Sequence, residues 1–335
     1  MTEAELPALG IHRIPIPVPF PQAGGPVNAY LVEDAGGGVL LFDAGLGTPE
    51  AEAALAAGVE RAGRRFDEVT RIVLSHGHVD HYGAARTVLE RAGHPVPVFA
   101  HAADVPKVAE SGRRFREVLP LLTAYLGRLG VPPEPLAGLG QRIAASFTLA
   151  RRLPQVTPLA SGEVLRAAHV ELEVRHMPGH TPGLLCLYER RRRLFFSGDH
   201  LLEKVSPNPI IELGPNGEEG HWRPLVAYLA SLAELRALEV DLVLPGHGPP
   251  FHGHRRVIDA LLAFYAKRQE RILEALAAGP LTAYEVGQAL FPRAIAGDLF
   301  LAISETIANL ELLEGRGAVV RATDGDVYRF RRAAA

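Results

Sequence analysis

Residues 76–81 read His-Gly-His-Val-Asp-His, three imidazoles and a carboxylate within six positions. Crowded or buried, such groups cost desolvation free energy unless something cationic binds them. A divalent metal ion does so, and imidazole nitrogen and carboxylate oxygen are zinc's usual ligands that also suit other transition metals. The hexapeptide follows Arg71-Ile72-Val73-Leu74-Ser75, a short apolar run that reads as a strand. Four more positions stand in the same kind of setting. Asp43 lies in Phe42-Asp43-Ala44-Gly45, and His180 in Met177-Pro178-Gly179-His180-Thr181. Asp199 lies in Phe196-Ser197-Gly198-Asp199-His200, and His247 in Leu244-Pro245-Gly246-His247-Gly248. Each follows an apolar, strand-like run, and in α/β proteins ligands gather outside the carboxyl ends of strands.

The donors suit two ions. His76, His78 and His180 can hold one; Asp80, His81 and His247 can hold the other; the two oxygens of Asp199 can bridge. Each ion then keeps room for water, as catalytic sites require and closed structural sites do not. Two ions about 3.5–4 Å apart can share a hydroxide formed near pH 7, and that hydroxide can attack a carbonyl carbon or a phosphorus. Asp80 is the candidate to orient it and relay its proton. Zinc is the first expectation, with iron or manganese as alternatives.

These side chains need a scaffold of strands and helices. Strand-like runs occur at Ile11–Phe20, Ala29–Val32, Val39–Asp43, 71–75 and Val96–Ala100, with helical patterns near Ala51–Ala62 and Tyr82–Ala92. Residues 103–152 form a helical insertion in which Leu119, Leu122, Leu126 and Leu129 recur at helical spacing. Its leucines and Tyr125 are expected to cover the cleft and favour a partly apolar substrate. Strands resume at Glu163–Leu165, His169–Arg175, Leu184–Tyr188, Arg193–Phe196 and Asp241–Leu244, with a helix at His221–Leu238 before the last. The pattern changes near His254. Helices at Arg255–Ala278, after the capping box Thr282–Glu285, and at Asp298–Glu314 precede a hairpin turning at Asp324-Gly325. That is the order of a winged helix. The division expected is a catalytic domain at 1–253 and a winged-helix-like domain at 254–335.

The motifs, in order over roughly residues 28–250, resemble those of the metallo-β-lactamase superfamily of hydrolases. The resemblance implies an α/β fold, the αββα four-layer sandwich, with metals at one edge between two sheets and the ligand set above. It makes Asp43 an aspartate behind the ligands that braces their loop. Zinc β-lactamases match less well, since many carry a cysteine where this chain has Asp199. The chain looks more like the glyoxalase II group, which cleaves thioesters, and most like lactamase-like hydrolases with a winged-helix tail. Some of those are endoribonucleases, so RNA phosphodiester cleavage is the alternative activity. A non-catalytic, ligand-sensing DNA-binding regulator is a third reading.

Bulk properties narrow the field. A chain of 335 residues, 47% hydrophobic, has room for two domains and a large core. A net charge of −3 gives no global pull toward nucleic acid. The third helix of the tail carries Asp298, Glu305, Glu311 and Glu314 without Lys or Arg, so DNA reading is not expected; a lid or dimer role is. Arg321, Arg329, Arg331 and Arg332 on the hairpin keep RNA binding open. No signal peptide or membrane span is legible, which points to the cytoplasm. The partner expected is a small-molecule substrate. Cys186, the single cysteine, reads as a buried hydrophobe. Asn208 and Tyr228 are candidate substrate contacts, and His200 and His221 candidate pocket residues.

Overall fold

The structure is a computed structural model that describes every residue except Phe20, Ser111, Pro154, 215–216, 218–221 and Ala335, and the side chains of Pro21 and Ala296. His221 therefore lies outside the described residues. Two sheets form the centre. The first runs in the order β1 (Ile11–Ile16), β2 (Val27–Glu33), β3 (Val39–Phe42), β4 (Val69–Val73), β5 (Val98–Ala100), β6 (Thr157–Pro158). The second contains β7 (Val164–Arg166), β8 (Glu171–His176), β9 (Leu185–Glu189), β10 (Leu194–Gly198) and β11 (Leu242–Pro245), in the spatial order β11-β10-β9-β8-β7.

Side-chain alternation explains why both sheets are buried on two faces. In β2, Val27, Ala29 and Leu31 face outward, against α1 (Pro49–Arg61); Tyr30 and Val32 face the other sheet. In β9, Leu185 and Leu187 face inward. Cys186 and Tyr188 pack outward with α8 (Pro224–Ala237) and α9 (His254–Ala275). Each buried leucine or valine side chain among them contributes about 1.5–3 kcal/mol. The result is the αββα sandwich.

Strand direction then gathers the polar residues. β3 and β4 are parallel, and so are β10 and β11. Asp43 and the 76–81 segment thus leave the first sheet on the side where Asp199 and His247 leave the second. The sheets are joined at that edge, because Leu185 N–H donates to the Ser75 carbonyl at 2.7 Å. Asn28 Nδ2 donates to the carbonyls of Pro245 (2.8 Å) and Gly248 (2.7 Å), fixing the loop after β11.

Some elements differ from expectation. The helix expected over 82–92 is two, α2 (Val79–Tyr82) and α3 (Ala85–Ala92), because Ala84 N–H is taken by the Gly45 carbonyl. Strand β6 and the later helix Pro292–Gly297 are too short to leave a periodic signal. The insertion comprises α4 (Val105–Glu110), α5 (Gly112–Arg128), α6 (Pro133–Ala137) and α7 (Leu139–Ser146). It lines the cavity described below, as expected, but through other residues than most of those named. Tyr125, Leu126 and Leu129 turn away from the cleft and share a core with α10 (Ala283–Leu290) and the longer helix α12 (Leu299–Gly315), which follows α11 (Pro292–Gly297). Leu122 alone of the four spaced leucines faces the cavity described below.

The chain closes with the hairpin β12 (Val319–Asp324) and β13 (Val327–Arg332). Helix α12 is buried through most of its length, and two of its acids look inward: Glu305 pairs with Arg268, and Glu311 with Arg321, which also holds the half-buried Glu314. Asp298 instead caps the helix through Leu301 N–H. Among the described residues no helix is long and apolar enough to cross a membrane.

Candidate metal centre

The 76–81 segment is a loop followed by the single turn α2, so His76 and His78 precede the helix and Asp80 and His81 lie on it. With His180, Asp199 and His247 they converge at one sheet edge. His78 Nδ1 lies 3.0 Å from His76 Nε2 and 3.0 Å from His180 Nε2. Asp80 Oδ2 lies 3.3 Å from His247 Nε2 and 4.0 Å from His81 Nε2. The Asp199 carboxylate sits between the two groups: Oδ1 is 3.5 Å from His81 Nε2, and Oδ2 is 3.6 Å from His180 Nε2 and 3.5 Å from His247 Nε2.

The far side of each ring sets its tautomer. Asp43 accepts from Ser75 N–H (2.7 Å) and Ser75 Oγ–H (2.7 Å), and its Oδ2 lies 2.8 Å from His81 Nδ1. Ser75 Oγ donates its proton to Asp43, so at 2.9 Å it accepts from His76 Nδ1. His180 Nδ1 donates to the Asn208 carbonyl at 2.9 Å, and His247 Nδ1 to the Gly25 carbonyl at 3.3 Å. Four rings therefore turn Nε2 to the centre, and His78 turns Nδ1.

This arrangement fits cations. Burial, then neighbouring imidazoles, holds His76 well below its usual pKa, and burial with His180 beside it brings His78 down to about 3. Three ring nitrogens thus lie in contact with at most one proton among them. Among the described residues, buried His81 Nε2 and Asp199 Oδ1 have no hydrogen-bond partner. Burial would lower the pKa of His81, but Asp199, Asp43 and Asp80 outweigh it and raise the pKa well above its usual value. A proton there stands where a metal charge belongs. The donor atoms form the sets His76/His78/His180, His76/His81/Asp199 and Asp80/His81/His247, each within 4.8 Å.

Two glycines permit this approach. A Cβ on Gly246 would lie 2.3 Å from Asp199 Oδ1, and one on Gly179 (φ +154°) would lie 2.5 Å from Tyr228 Cβ. The second contact corrects the expectation for Tyr228. It is buried, its hydroxyl donates to the His200 carbonyl at 2.8 Å, and it supports the 179–180 and 199–200 turns from behind rather than facing substrate. His200 is buried beside its ring and is likewise absent from the cavity wall. Asn208 does line the cavity, yet its Nδ2 donates to the Leu301 carbonyl at 3.0 Å and its own carbonyl holds His180.

Sequence reasoning missed three residues. Ser75 was visible only as the end of an apolar run. Asp104 and Lys107 carried no motif. The buried Asp104 accepts from Gly77 N–H (2.8 Å), Thr181 Oγ (2.9 Å) and Lys107 Nζ (2.8 Å), joining the two histidine loops.

The centre opens into a cavity of about 610 Å³, within the range of small-molecule sites. His78, Asp80, His180, Asp199 and His247 form one wall. Phe115, Val118, Ile143 and Phe147 of the insertion, with Phe300 and Leu301 of α12, make much of the remainder apolar.

Comparison with known proteins agrees with this geometry. A family model described as the metallo-beta-lactamase superfamily matches residues 23–247, and one described as the metallo-beta-lactamase-like C-terminal domain matches 269–333. The probable metallo-hydrolase YqjP of Bacillus subtilis (strain 168) is 31% identical, over 95% of this chain and 97% of its own. The acyl-coenzyme A thioesterase MBLAC2 of Gallus gallus is 30% identical, over 70% of this chain and 77% of its own. The crystal structure of the metallo-beta-lactamase family protein TTHA1429 from Thermus thermophilus superposes with a TM-score of 0.80 at 33% identity, covering 96% of this chain and 98% of that one.

Proposed function

The chain belongs to the metallo-β-lactamase superfamily of metal-dependent hydrolases, and from that premise we propose that it is a dinuclear hydrolase of acyl thioesters or related esters. The observation that carries the reading is the shared cavity: one wall is metal-binding side chains, and most of the rest is aliphatic and aromatic. The similarity to a protein named as an acyl-coenzyme A thioesterase supports the same substrate class.

In this reading His76, His78 and His180 would hold one divalent ion and Asp80, His81 and His247 the other, with the Asp199 carboxylate available to both. Zinc is the first choice, with iron or manganese as alternatives for the same donors. Divalent ions held there would supply Lewis acidity, which lowers the pKa of water toward about 7 and offsets negative charge on an acyl oxygen. The apolar wall binds the acyl portion and excludes bulk water. Asp80, at the cavity surface, orients the attacking water and takes its proton. As the water oxygen bonds to the acyl carbon and the carbon–sulfur bond breaks, that proton passes to the leaving thiolate. The products are a carboxylic acid and a thiol. In the proposal residues 1–253 supply the metal-binding side chains and most of the cavity wall, and 254–335 form a winged-helix-like accessory domain that adds Phe300 and Leu301 to that wall.

Phosphodiester cleavage remains the second reading because Arg114 also lines the cavity. Among the described residues the other lining lysine or arginine, Lys107, is already paired with Asp104 and Glu212. Reading of DNA by α12 is disfavoured by its burial.

The test is metal analysis of the purified protein, with the same sample assayed on thioester, lactone, phosphodiester and RNA substrates. Two equivalents of metal and preferential thioester hydrolysis are expected. His78→Ala is expected to lower bound metal and to reduce turnover by on the order of 100-fold or more. Equal turnover by metal-stripped protein would reject the proposal.

A further inference from the structure

The segment Pro207–Glu212 has neither helix nor strand. Pro207 and Pro209 also lack N–H groups, so the segment has few backbone bonds of its own to fix it. Its position is set from outside, on two sides. From the C-terminal helices come three hydrogen bonds. Tyr265 Oη of α9 donates to the Pro207 carbonyl at 3.3 Å, and the Leu301 carbonyl of α12 accepts from Asn208 Nδ2 at 3.0 Å. Ser304 Oγ of α12 accepts from Ile211 N–H at 3.2 Å. Tyr265 and Ser304 are buried, so water does not compete for these bonds.

On its other side the same segment reaches the histidine loops by two routes. The Asn208 carbonyl holds His180 Nδ1. The Glu212 carboxylate lies 2.5 Å from Lys107 Nζ, and Lys107 holds Asp104, which grips Gly77 N–H and Thr181 Oγ. Gly77 stands between His76 and His78, and Thr181 follows His180. Both routes end on the three-histidine set. The other set is held elsewhere, His81 by Asp43 and His247 by Gly25.

We infer that Asn208 is a positioning residue through which the C-terminal helices set His180, so that this part of the chain governs one of the two metal sites. The inference rests on the metal-holding half of the proposal above and not on the choice of substrate. A loosened 207–212 segment leaves His180 Nδ1 without a fixed acceptor and its ring free to turn. Loss of an outer hydrogen-bonding partner lowers metal affinity by about 10–100-fold. The three-histidine set bears that loss while the other keeps its anchors.

The experiment titrates zinc alone into metal-free, full-length protein against a competing chelator, reading two affinities. His180→Ala identifies which affinity belongs to the three-histidine set. Asn208→Ala keeps the carbonyl that holds His180 and removes the bond to Leu301. The double variant Tyr265→Phe/Ser304→Ala removes the other two bonds and touches no metal-binding residue. Each is expected to weaken the His180-dependent affinity by on the order of tenfold, and the second affinity by much less. Urea unfolding of the metal-free proteins checks folding, and Tyr265→Phe alone serves if either variant fails to fold. Two unchanged affinities overturn the inference. So does an equal fall in both that follows lost stability, since a merely structural role predicts that pattern. Wild-type protein that binds no zinc removes the metal reading and this inference together; wild-type protein that binds two, with variants that match it, removes the inference alone.

Discussion

Asp104 shows how much one buried side chain organises. It accepts hydrogen bonds from both histidine loops and faces a single ammonium, Lys107. Burial raises the pKa of its carboxyl, but Lys107 and the donors of Gly77 and Thr181 prevail and hold it below its usual 3.8. The folded pKa lies below the unfolded one, so folding favours the ionised form. That stability is present above about pH 4 and is lost as pH falls through the folded pKa. Asp104→Asn is therefore expected to cost about 3 kcal/mol at pH 7, since it breaks a buried pair, and less as the pH falls to about 3. Urea unfolding of both proteins across that range checks it; a gap independent of pH would mean that folding does not lower the pKa of the carboxyl. None of this was legible in the sequence. Asp104 lies in the turn before α4 with no motif around it, whereas His76, His78 and His81 announced themselves because a crowded set of donors has few other uses.

At the scale of elements, the site depends on strand ends that stop abruptly. Gly246 lets the turn after β11 come against Asp199, where an added Cβ would lie 2.3 Å from Oδ1 and 2.8 Å from the Gly198 carbonyl carbon. The second of these neighbours is backbone and cannot swing aside. Gly246→Ala is expected to displace Asp199 and to lower turnover and bound metal by about 10–100-fold. Metal content and a thioester assay would show it, and wild-type values for both would refute it. The strands that carry these ends were legible as apolar runs, because they are buried on both faces. The two-residue β6 and the split between α2 and α3 were not, since each depends on a partner distant in the chain.

For the whole molecule, metal binding is expected to be coupled to folding. The donors come from both sheets, so ions that bind them hold the sheets together and are absent from the unfolded chain. A site at about 100 times its dissociation constant adds about 2.7 kcal/mol. Removal of metal with a chelator is expected to lower the melting temperature by several degrees, and added zinc to restore it. Calorimetry with and without chelator tests this, and an unchanged transition would count against metal spanning the two sheets. The C-terminal helices belong to the same whole: they share a core with the insertion and contribute Phe300 and Leu301 to the cavity.

By itself the sequence determined the chemistry: which donors, in what order, each just beyond an apolar run. It could do so because metal binding demands particular side chains, and apolar runs declare strands whatever surrounds them. Only the tertiary structure decided direction. It turned Tyr125 and two acids of α12 inward, put Tyr228 behind the site, and bound Asn208 between His180 and Leu301. Which way a helix face or a loop amide points is set by packing against residues far along the chain, and local spacing carries no trace of those neighbours.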